Sequence, residues 1–261
     1  MNFYGDYHTH SKHSDGRQNE AEIIEAAKEK GLKEIAITDH GPLALGIGIK
    51  DTKVLEKMRL RIDALNQLNP DITILLGVEA NIRDLDGTLD IPISAMELLD
   101  VLIAGLHPYT IPTSVSDGIN LYLQNSFRHL GRSQREKAIR NNTKAIVAAL
   151  DNNPRIDILS HPGLFFYIDV EEVAQACVRN EVLFEINCGH GYPHVSDIMV
   201  AKEQGVHFII NSDAHFTATV GQLEYGEEAM KKIDIPPSRI VNLEDKGGYN
   251  RWPKRSKGYI H

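Results

Sequence analysis

Cysteine is scarce in this chain, which has only Cys177 and Cys188 among its 261 residues. Two cysteines supply neither a disulfide framework nor a thiolate site for zinc, so we expect the reducing environment of the cytoplasm. The first residues lack the basic start and the apolar run of a signal peptide. No apolar run reaches the roughly eighteen residues that a membrane helix needs. The sequence therefore predicts a cytoplasmic protein that makes no contact with a membrane.

Basic residues are also fewer than acidic ones: the chain has 28 Lys and Arg and 36 Asp and Glu, and its formal net charge is −8. This balance argues against nucleic acid as a partner, since phosphate contacts need a basic face. The exception is the segment 246–261, which carries five Lys or Arg and no acid, so that removing its five charges leaves residues 1–245 at −13. We interpret the segment as a solvated tail, with a phosphate-binding lip as the alternative. The predicted organisation is one domain, residues 1–245, followed by a basic tail, residues 246–261.

The apolar residues fall into seven short, β-branched runs with helical patterns between them. The runs are 3–8, 34–39, 72–78, 101–106, 156–160, 183–187 and 206–211, and the helical patterns are 19–30, 52–68, 133–150, 169–180, 195–204 and 221–233. Runs that are apolar nearly throughout are typical of parallel strands buried on both faces. A long polar loop over 109–132 is a candidate flap. The alternation predicts either a (β/α) barrel or a doubly wound open sheet.

Histidine is abundant, with twelve in the chain, and most lie beside Asp, Glu, Gly or Pro at the ends of apolar runs. Six of the seven runs end in, or continue directly into, a histidine or an acid. In a barrel these carboxyl ends converge on one face, where barrel enzymes place their active sites, whereas an open sheet spreads them along a line. We therefore predict an α/β fold of the TIM-like barrel type.

Nine residues at these ends are candidate metal ligands. His8 and His10 lie two residues apart on an extended segment and face the same side, and Asp213 and His215 repeat this spacing. The full set is His8, His10, Asp15, His40, Glu79, His107, His161, Asp213 and His215. Because a catalytic metal typically takes three protein ligands, nine are enough for three ions. The positive charge of three divalent ions exceeds the negative charge of the three carboxylates by three. This excess suits an anionic phosphoester substrate.

Several motifs resemble those of the polymerase and histidinol phosphatase (PHP) family. The general family motifs are Gly5-Asp6-Tyr7-His8-Thr9-His10-Ser11, Ser14-Asp15-Gly16, Ile37-Thr38-Asp39-His40-Gly41 and Ser160-His161-Pro162-Gly163. Segments 77–81, 86–87, 103–107, 185–187, 211–215 and 236–240 are similar to the YcdX-type branch of stand-alone phosphatases. The likeness covers nearly the whole chain. It implies a distorted seven-stranded (β/α)7 barrel with a trinuclear site that is often zinc and sometimes manganese or iron.

The resemblance also implies how the ligands divide among the ions. It assigns His8, His10, Glu79 and Asp213 to one ion, Glu79, His107 and His161 to a second, and Asp15, His40 and His215 to a third, so that Glu79 bridges two ions. Relatives of the YcdX type can have a histidine where Asp15 stands, and an oxygen ligand there favours a harder metal such as manganese. His13 competes with Asp15 for the third ion, and the match to Ser-Asp-Gly favours Asp15.

The remaining polar residues of the motifs receive supporting or structural interpretations. Asp6, Asp39 and Asn187 are predicted to accept hydrogen bonds from ligand imidazoles or to fix loop backbone around them. His190 and His194, which follow the sixth run, are either structural or face the substrate. No side chain is predicted to be catalytic beyond the water held by the metals.

The predicted function is a metal-dependent phosphoesterase that hydrolyses small phosphomonoesters through a metal-bound hydroxide at a trinuclear site. Its cofactors would be three divalent metal ions, zinc first, with manganese or iron as alternatives. One alternative function is a 3′–5′ exonuclease or DNA-end phosphatase, because polymerase-linked relatives process nucleic acid. A non-catalytic metal-binding regulatory domain is another, and the complete ligand set argues against it. The physiological substrate and the oligomeric state stay open.

Overall fold

Seven short parallel strands form a single sheet in the order in which they occur along the chain. The computed structural model describes residues 2–249. Its strands are β1 (Gly5–Asp6), β2 (Glu34–Ile37), β3 (Thr73–Asn81), β4 (Val101–Gly105), β5 (Ile158–Leu159), β6 (Leu183–Asn187) and β7 (Phe208–Asn211). Each strand lies within or close to one of the seven apolar runs, and the bounds of β6 match the prediction. The strands are nevertheless shorter than most of the runs, because the runs continue into the loops that carry the site.

The ends of the sheet meet and close it into a barrel. Thr9, after β1, forms a parallel bridge with Ala214, after β7. The amide of His10 donates to the carbonyl of Ala214 at 2.9 Å, and the amide of Ala214 donates to the carbonyl of His8 at 3.2 Å. The prediction of a seven-stranded TIM-like barrel is therefore confirmed, and the open sheet is excluded.

Helices connect the strands and pack around the outside of the barrel. They are α1 (Glu20–Glu29), α2 (Lys53–Leu68), α3 (Ile93–Met96), α4 (Val115–Asp117), α5 (Gln124–Ser126), α6 (Arg132–Asn152), α7 (Val170–Arg179), α8 (Val195–Gln204) and α9 (Glu224–Ile233). Two of the helices have side-chain caps: Asn19 accepts from the amide of Glu22 and forms a capping box at α1, and Asp169 accepts from the amide of Glu172 at α7. Among the described residues, no helix combines the length and the apolar character needed to cross a membrane.

The predicted flap is helical rather than an open loop. A π-helix (Gly118–Leu123) joins α4 to α5, and a 3-10 turn (Phe127–His129) follows. Its inner side is fixed by Asn125, whose amide group donates to the carbonyl of Leu121 at 2.6 Å and to Asn142 of α6 at 2.7 Å. Sequence periodicity did not predict this helical segment, residues 115–130, because a π-turn breaks the 3.6-residue repeat and because a buried asparagine resembles a loop residue.

Apolar side chains fill the barrel interior below the site. The inner cluster includes Tyr7, Leu75, Ile103, Ile158 and Ile209, all buried. Tyr249 joins this cluster, and its amide donates to the hydroxyl of Tyr7 at 2.9 Å. Tyr249 belongs to the segment predicted as a basic tail, 246–261, and residues 250–261 of that segment lie outside the described residues. The division into residues 1–245 and 246–261 stays a prediction.

Gly87 has a backbone conformation and a close neighbour that exclude any side chain, which gives a stability prediction. Its φ is +80°, and a Cβ there would lie 2.1 Å from the amide nitrogen of Ala149. Gly46 has the same left-handed φ of +79° but nothing within 4 Å of a Cβ. Gly87→Ala should therefore destabilise the fold by about 1–2 kcal/mol for the conformation plus about 1–3 kcal/mol for the overlap, and Gly46→Ala by the first contribution alone.

Urea unfolding of both variants measures this difference directly. The free energy of unfolding should fall further for Gly87→Ala than for Gly46→Ala. Equal losses would show that α6 moves aside at no cost.

Candidate metal centre

The nine predicted ligands converge at the carboxyl end of the barrel around the carboxylate of Glu79. Glu79 extends from β3, is fully buried, and has five histidines around it. Its Oε1 lies 3.0 Å from His161 Nε2 and 3.1 Å from His107 Nε2, while its Oε2 lies 2.9 Å from His40 Nδ1, 3.3 Å from His8 Nε2 and 3.6 Å from His10 Nε2. Both carboxylate oxygens are thus available to neighbouring ligand sets, as a bridging role requires.

Two further acids complete the cluster on the side of β1 and β7. Asp213 Oδ1 lies 3.1 Å from His10 Nε2 and 3.4 Å from His8 Nε2. Asp15 Oδ2 lies 3.2 Å from His215 Nε2 and 3.7 Å from His40 Nε2. Each acid faces at least two imidazoles, so the nine side chains form one continuous set of nitrogen and oxygen donors.

Mutual distances divide these donors into three overlapping groups that could each hold an ion. The groups are His10, Asp15, His40 and His215; His8, His10 and Glu79; and His40, Glu79 and His107. They follow the division implied by the resemblance, with two differences. His10 and His40 each belong to two groups, and Asp213 and His161 border groups without being included in them. His161 nevertheless lies beside the third group, because its Nε2 is 3.3 Å from His107 Nε2.

Unsatisfied polar atoms show that this donor set fits metal ions. His8 Nε2, both ring nitrogens of His10, His40 Nδ1 and Glu79 Oε2 are buried and have no hydrogen-bond partner among the described residues. Several of these atoms lie within 4 Å of one another, but their relative orientation does not allow a hydrogen bond. Leaving one such buried group unpaired costs about 1–3 kcal/mol, and five are concentrated here. Imidazole and carboxylate donors with no thiolate suit zinc, manganese or iron.

The acids of the cluster are held in the ionised form. Burial alone would raise the pKa of Glu79, but the surrounding imidazoles of His8, His107 and His40 outweigh it and hold that pKa well below its usual range. For Asp15, burial is likewise opposed by the hydrogen bond from His215 and by nearby imidazoles, which bring its pKa to about 2. Carboxylates that stay charged at neutral pH provide the negative potential that a cation needs.

Two residues that support ligand imidazoles were not predicted. Glu185 Oε1 lies 2.7 Å from His8 Nδ1, and Asn81 Oδ1 lies 2.8 Å from His107 Nδ1. Such partners fix the tautomer and the orientation of a ligating imidazole, so that the other ring nitrogen faces the metal. A sequence signal existed for Asn81, because it follows Glu79 by two residues on one strand and faces the same side.

The three predicted supporting residues bond to backbone and carboxylates rather than to ligand imidazoles. Asp6 accepts from the amide of Ser212 at 3.0 Å and also from its hydroxyl. Asp39 accepts from the amide and from the hydroxyl of Ser11, both at 2.7 Å. Asn187 donates to Asp213 at 3.0 Å. These contacts position the loops that carry the ligands.

The other residues singled out from the sequence lie at the edge of the site or outside it. His13 points away from the cluster, with its Nε2 3.0 Å from Glu20 Oε1, so the structure places Asp15 rather than His13 among the donors. His190 lies at the cavity, 3.4 Å from Asp213, whereas His194 precedes α8 and contacts Tyr192. Burial raises the pKa of Cys188 to about 12, which leaves it a poor nucleophile.

A cavity of about 500 Å³ opens above the cluster. Its floor includes Asp15, His40, Glu79, His161, Asp213 and His215, and its walls include Ile47, Tyr109, Phe165, His190 and Phe216. The ring of Tyr109 stacks on the imidazole of His107, with centroids 5.1 Å apart and planes inclined by 11°. Among the lining residues that the structure describes, none is Lys or Arg. The site therefore combines a polar floor with largely aromatic walls.

Comparison with known proteins relates the chain to phosphatases. Residues 6–232 match the family described as the PHP domain. A probable phosphatase of Caldicellulosiruptor bescii is 33% identical over 233 residues, which cover 86% of this chain and 84% of the relative. A probable phosphatase of Caldanaerobacter subterraneus subsp. tengcongensis is 32% identical over 257 residues, which cover 88% and 89%.

Among solved structures, the chain is similar in fold to the histidinol phosphate phosphatase of Lactococcus lactis, which was determined with zinc, L-histidinol and phosphate. The TM-score is 0.64 at 18% sequence identity, and the superposition covers 90% of this chain and 95% of the other. At this identity the likeness concerns the fold.

Proposed function

The chain belongs to the PHP domain family, and on that premise we propose that it is a metal-dependent phosphoesterase that hydrolyses small phosphomonoesters at a trinuclear site. The observation that carries this proposal is the buried carboxylate of Glu79 among five imidazoles, several of them with unpaired ring nitrogens, at the floor of an open cavity. Relatives named probable phosphatases over most of their length support the same reaction class.

The nine donors would hold the metals in the arrangement implied by the family resemblance, with Glu79 shared between two ions. When bound, the ions supply positive charge against the phosphoryl oxygens and lower the pKa of a water molecule. The chain itself orients the donors. Glu185 and Asn81 direct His8 and His107, and Asp39 holds the loop that leads to Asp15. We propose zinc as the first choice, with manganese or iron as alternatives.

The shape and charge of the cavity favour a small substrate with a terminal phosphate. Proteins that follow a nucleic-acid strand present a basic groove with aromatic residues on which bases stack. Aromatic walls are present here, from Tyr109, Phe165 and Phe216, but the described part of the lining, within residues 2–249, contains no Lys or Arg. The positive charge needed by a phosphate would therefore come from metals at the floor, which a compact monoester reaches more easily than a long polyanion.

Hydrolysis of a panel of small phosphomonoesters, each assayed with zinc, manganese and iron, tests the reaction class. We expect turnover of at least one compound that a chelator abolishes and that added metal restores. A panel without any turnover, in protein that retains its metals, would favour the non-catalytic metal-binding domain.

Metal content is the most direct prediction from the donor set. We expect two to three equivalents per chain in protein purified without chelator, because nine donors at typically three per ion serve about three ions. Elemental analysis measures this number. His10→Ala should reduce it, since His10 belongs to two donor groups, whereas the control His13→Ala should leave it unchanged because His13 bonds to Glu20 instead. One equivalent or fewer in reconstituted wild-type protein would contradict a cluster.

Substrate preference separates the proposed phosphatase from an exonuclease. We expect a higher kcat/KM for a small monoester than for a single-stranded oligonucleotide at fixed metal and salt. The comparison is repeated with a chain ending at Tyr249, which retains the buried contact of Tyr249 and removes the basic residues beyond it. If the oligonucleotide is the better substrate and the shortened chain loses that preference, the exonuclease replaces the phosphatase as the proposed function.

A further inference from the structure

A second cavity, of about 430 Å³, lies where the helical segment 115–130 meets the start of α6. Three of its lining residues are arginines, and none of those that the structure describes is an acid: Arg128, His129, Gly131, Arg132, Arg135 and Tyr167. It shares none of these residues with the cavity above the metal centre. In a chain whose formal net charge is −8, this concentration of positive charge is a feature that the metal centre does not explain.

Two of the three arginines lack an acidic partner. Arg132 forms an ion pair with Glu136, in which its Nε lies 2.7 Å from Oε1. Among the described residues, no carboxylate lies within 4 Å of the guanidinium groups of Arg128 and Arg135. The cavity, which we call the basic cavity, therefore has two positive charges that the side chains of residues 2–249 do not neutralise.

The ring of Tyr167 holds these two charges close together. The guanidinium carbon of Arg128 lies 5.6 Å from the ring centroid, and that of Arg135 lies 5.1 Å from it. The two charges are therefore at most about 11 Å apart, close to the screening length of about 10 Å at 0.1 M salt, so that they repel each other. A guanidinium over an aromatic ring contacts it with its face, and the N–H groups in its plane stay available to an acceptor.

Arg128 is fixed in place but is not fully satisfied. Its Nη1 donates to the carbonyl of Asn125 at 2.7 Å, while its Nε is buried and has no hydrogen-bond partner among the described residues. Removing part of a charged group from water is unfavourable, and an anion beside the guanidinium offsets this cost. The N-terminus of α6 adds to the positive potential, because Gly131 provides no side-chain cap and the helix dipole is positive at this end.

We propose that the basic cavity is a second anion site and that it binds a phosphate group. A phosphate dianion matches the two unneutralised charges. Its oxygens point in several directions, so that two separate guanidinium groups can each donate to it. A carboxylate has one charge and two coplanar oxygens, which a single guanidinium satisfies. The proposal does not rest on the phosphatase reaction, because binding here requires neither a metal nor turnover.

One short segment of chain connects the basic cavity to the metal centre. His161 belongs to the nine donors, Phe165 lines the cavity above them, and Tyr167 lines the basic cavity. Two residues of chain span at most about 7 Å, so Phe165 and Tyr167 are close neighbours. The side chain of Phe166, between them in sequence, is buried beside Tyr122 and lines neither cavity. A phosphate group can reach this position from two sources, as the free ion or as part of a larger molecule.

Nuclear magnetic resonance of the arginine Nε–H groups in the zinc-loaded full chain tests the site. Inorganic phosphate is the probe, and sodium chloride at the same ionic strength is the reference titration. We expect the resonances of Arg128 and Arg135 to shift with phosphate until they saturate. Arg140, exposed on the same helix as Arg135 but not a lining residue, is the internal control, and its resonance should follow ionic strength alone.

Substitutions test whether these arginines hold the anion. Arg128→Gln and Arg135→Gln should each raise the dissociation constant for phosphate by at least about tenfold, because hydrogen bonds to charged groups are stronger than neutral ones. Arg140→Gln should leave that constant unchanged. Backbone resonances away from the basic cavity verify that each variant is folded. No turnover is measured, so the result is independent of whether the chain hydrolyses phosphomonoesters.

Phenylphosphonate, whose C–P bond resists hydrolysis, separates the two sources. Tighter binding than inorganic phosphate would assign the site to a phosphate group on a larger molecule, and equal or weaker binding would assign it to the free ion. The proposal is overturned if the shifts do not saturate, if Arg140 shifts equally, or if Arg128→Gln and Arg135→Gln bind phosphate like the wild type. Acetate that binds as tightly as phosphate would overturn the choice of ligand.

Discussion

Glu79→Gln is expected to lower kcat/KM by about a thousandfold and to remove more than one metal equivalent per chain. The carboxylate of Glu79 faces His107 and His161 with one oxygen and His8, His10 and His40 with the other. Glutamine preserves the volume but replaces one of these oxygens with an amide nitrogen, which cannot ligate a cation. Two ions should therefore weaken together. The metals are expected to contribute several kcal/mol of transition-state stabilisation, and each factor of ten in rate corresponds to about 1.4 kcal/mol.

Elemental analysis and steady-state kinetics on the same preparation measure both effects. Glu20→Gln is a matched control, because Glu20 is also a buried acid beside a histidine but lies outside the cluster, with His13 and Arg61 as partners. That variant should keep its metals and its turnover. Full metal occupancy with near-normal kcat/KM in Glu79→Gln would show that Glu79 does not bridge two ions.

The barrel could be predicted because its signals are local. Parallel strands buried on both faces produce short apolar runs, and six of the seven runs here end where a histidine or an acid begins, as Leu106 precedes His107. The convergence of those ends then follows from topology alone. The match to Ser-Asp-Gly favours Asp15 over His13 as a ligand, and this stays a prediction. In the structure Asp15 lies with His10, His40 and His215, whereas His13 contacts Glu20.

Other features depend on contacts between residues distant in the chain, which no local pattern contains. Glu185 supports His8 across a separation of 177 residues, and its position in an apolar strand gives no indication of this partner. The helical segment over residues 115–130 was missed for a different reason. Its buried anchor is Asn125, paired with Asn142, and a π-helix interrupts the 3.6-residue repeat by which a helix is recognised.

Glu185 is a positioning residue, and we expect Glu185→Gln to weaken metal binding by about 10- to 100-fold. Its two oxygens accept from four donors. Oε1 accepts hydrogen bonds from His8 Nδ1 at 2.7 Å and from Asn211 Nδ2 at 2.8 Å. Oε2 accepts from the backbone amide of His161 at 2.7 Å and from Asn187 Nδ2 at 3.2 Å. A glutamine has one acceptor oxygen, so whichever way its amide turns, an NH2 group faces two donors. If it faces His8, that imidazole can restore a hydrogen bond only by moving its proton to Nε2, the nitrogen that faces Glu79 and Asp213 and would bind the metal.

A competition titration with a chelator distinguishes this positioning role from a merely structural one. Unsatisfied donors should lower the free energy of unfolding of the metal-free protein by about 1–3 kcal/mol each, but a structural defect alone would leave the metal dissociation constant of the folded protein unchanged. We expect that constant to rise, with a lower kcat that excess metal restores in part. Glu203→Gln, an exposed acid on α8, is the control and should alter neither quantity. A Glu185→Gln protein that is destabilised yet binds metal like the wild type would limit Glu185 to a structural role and leave the orientation of His8 to its other neighbours.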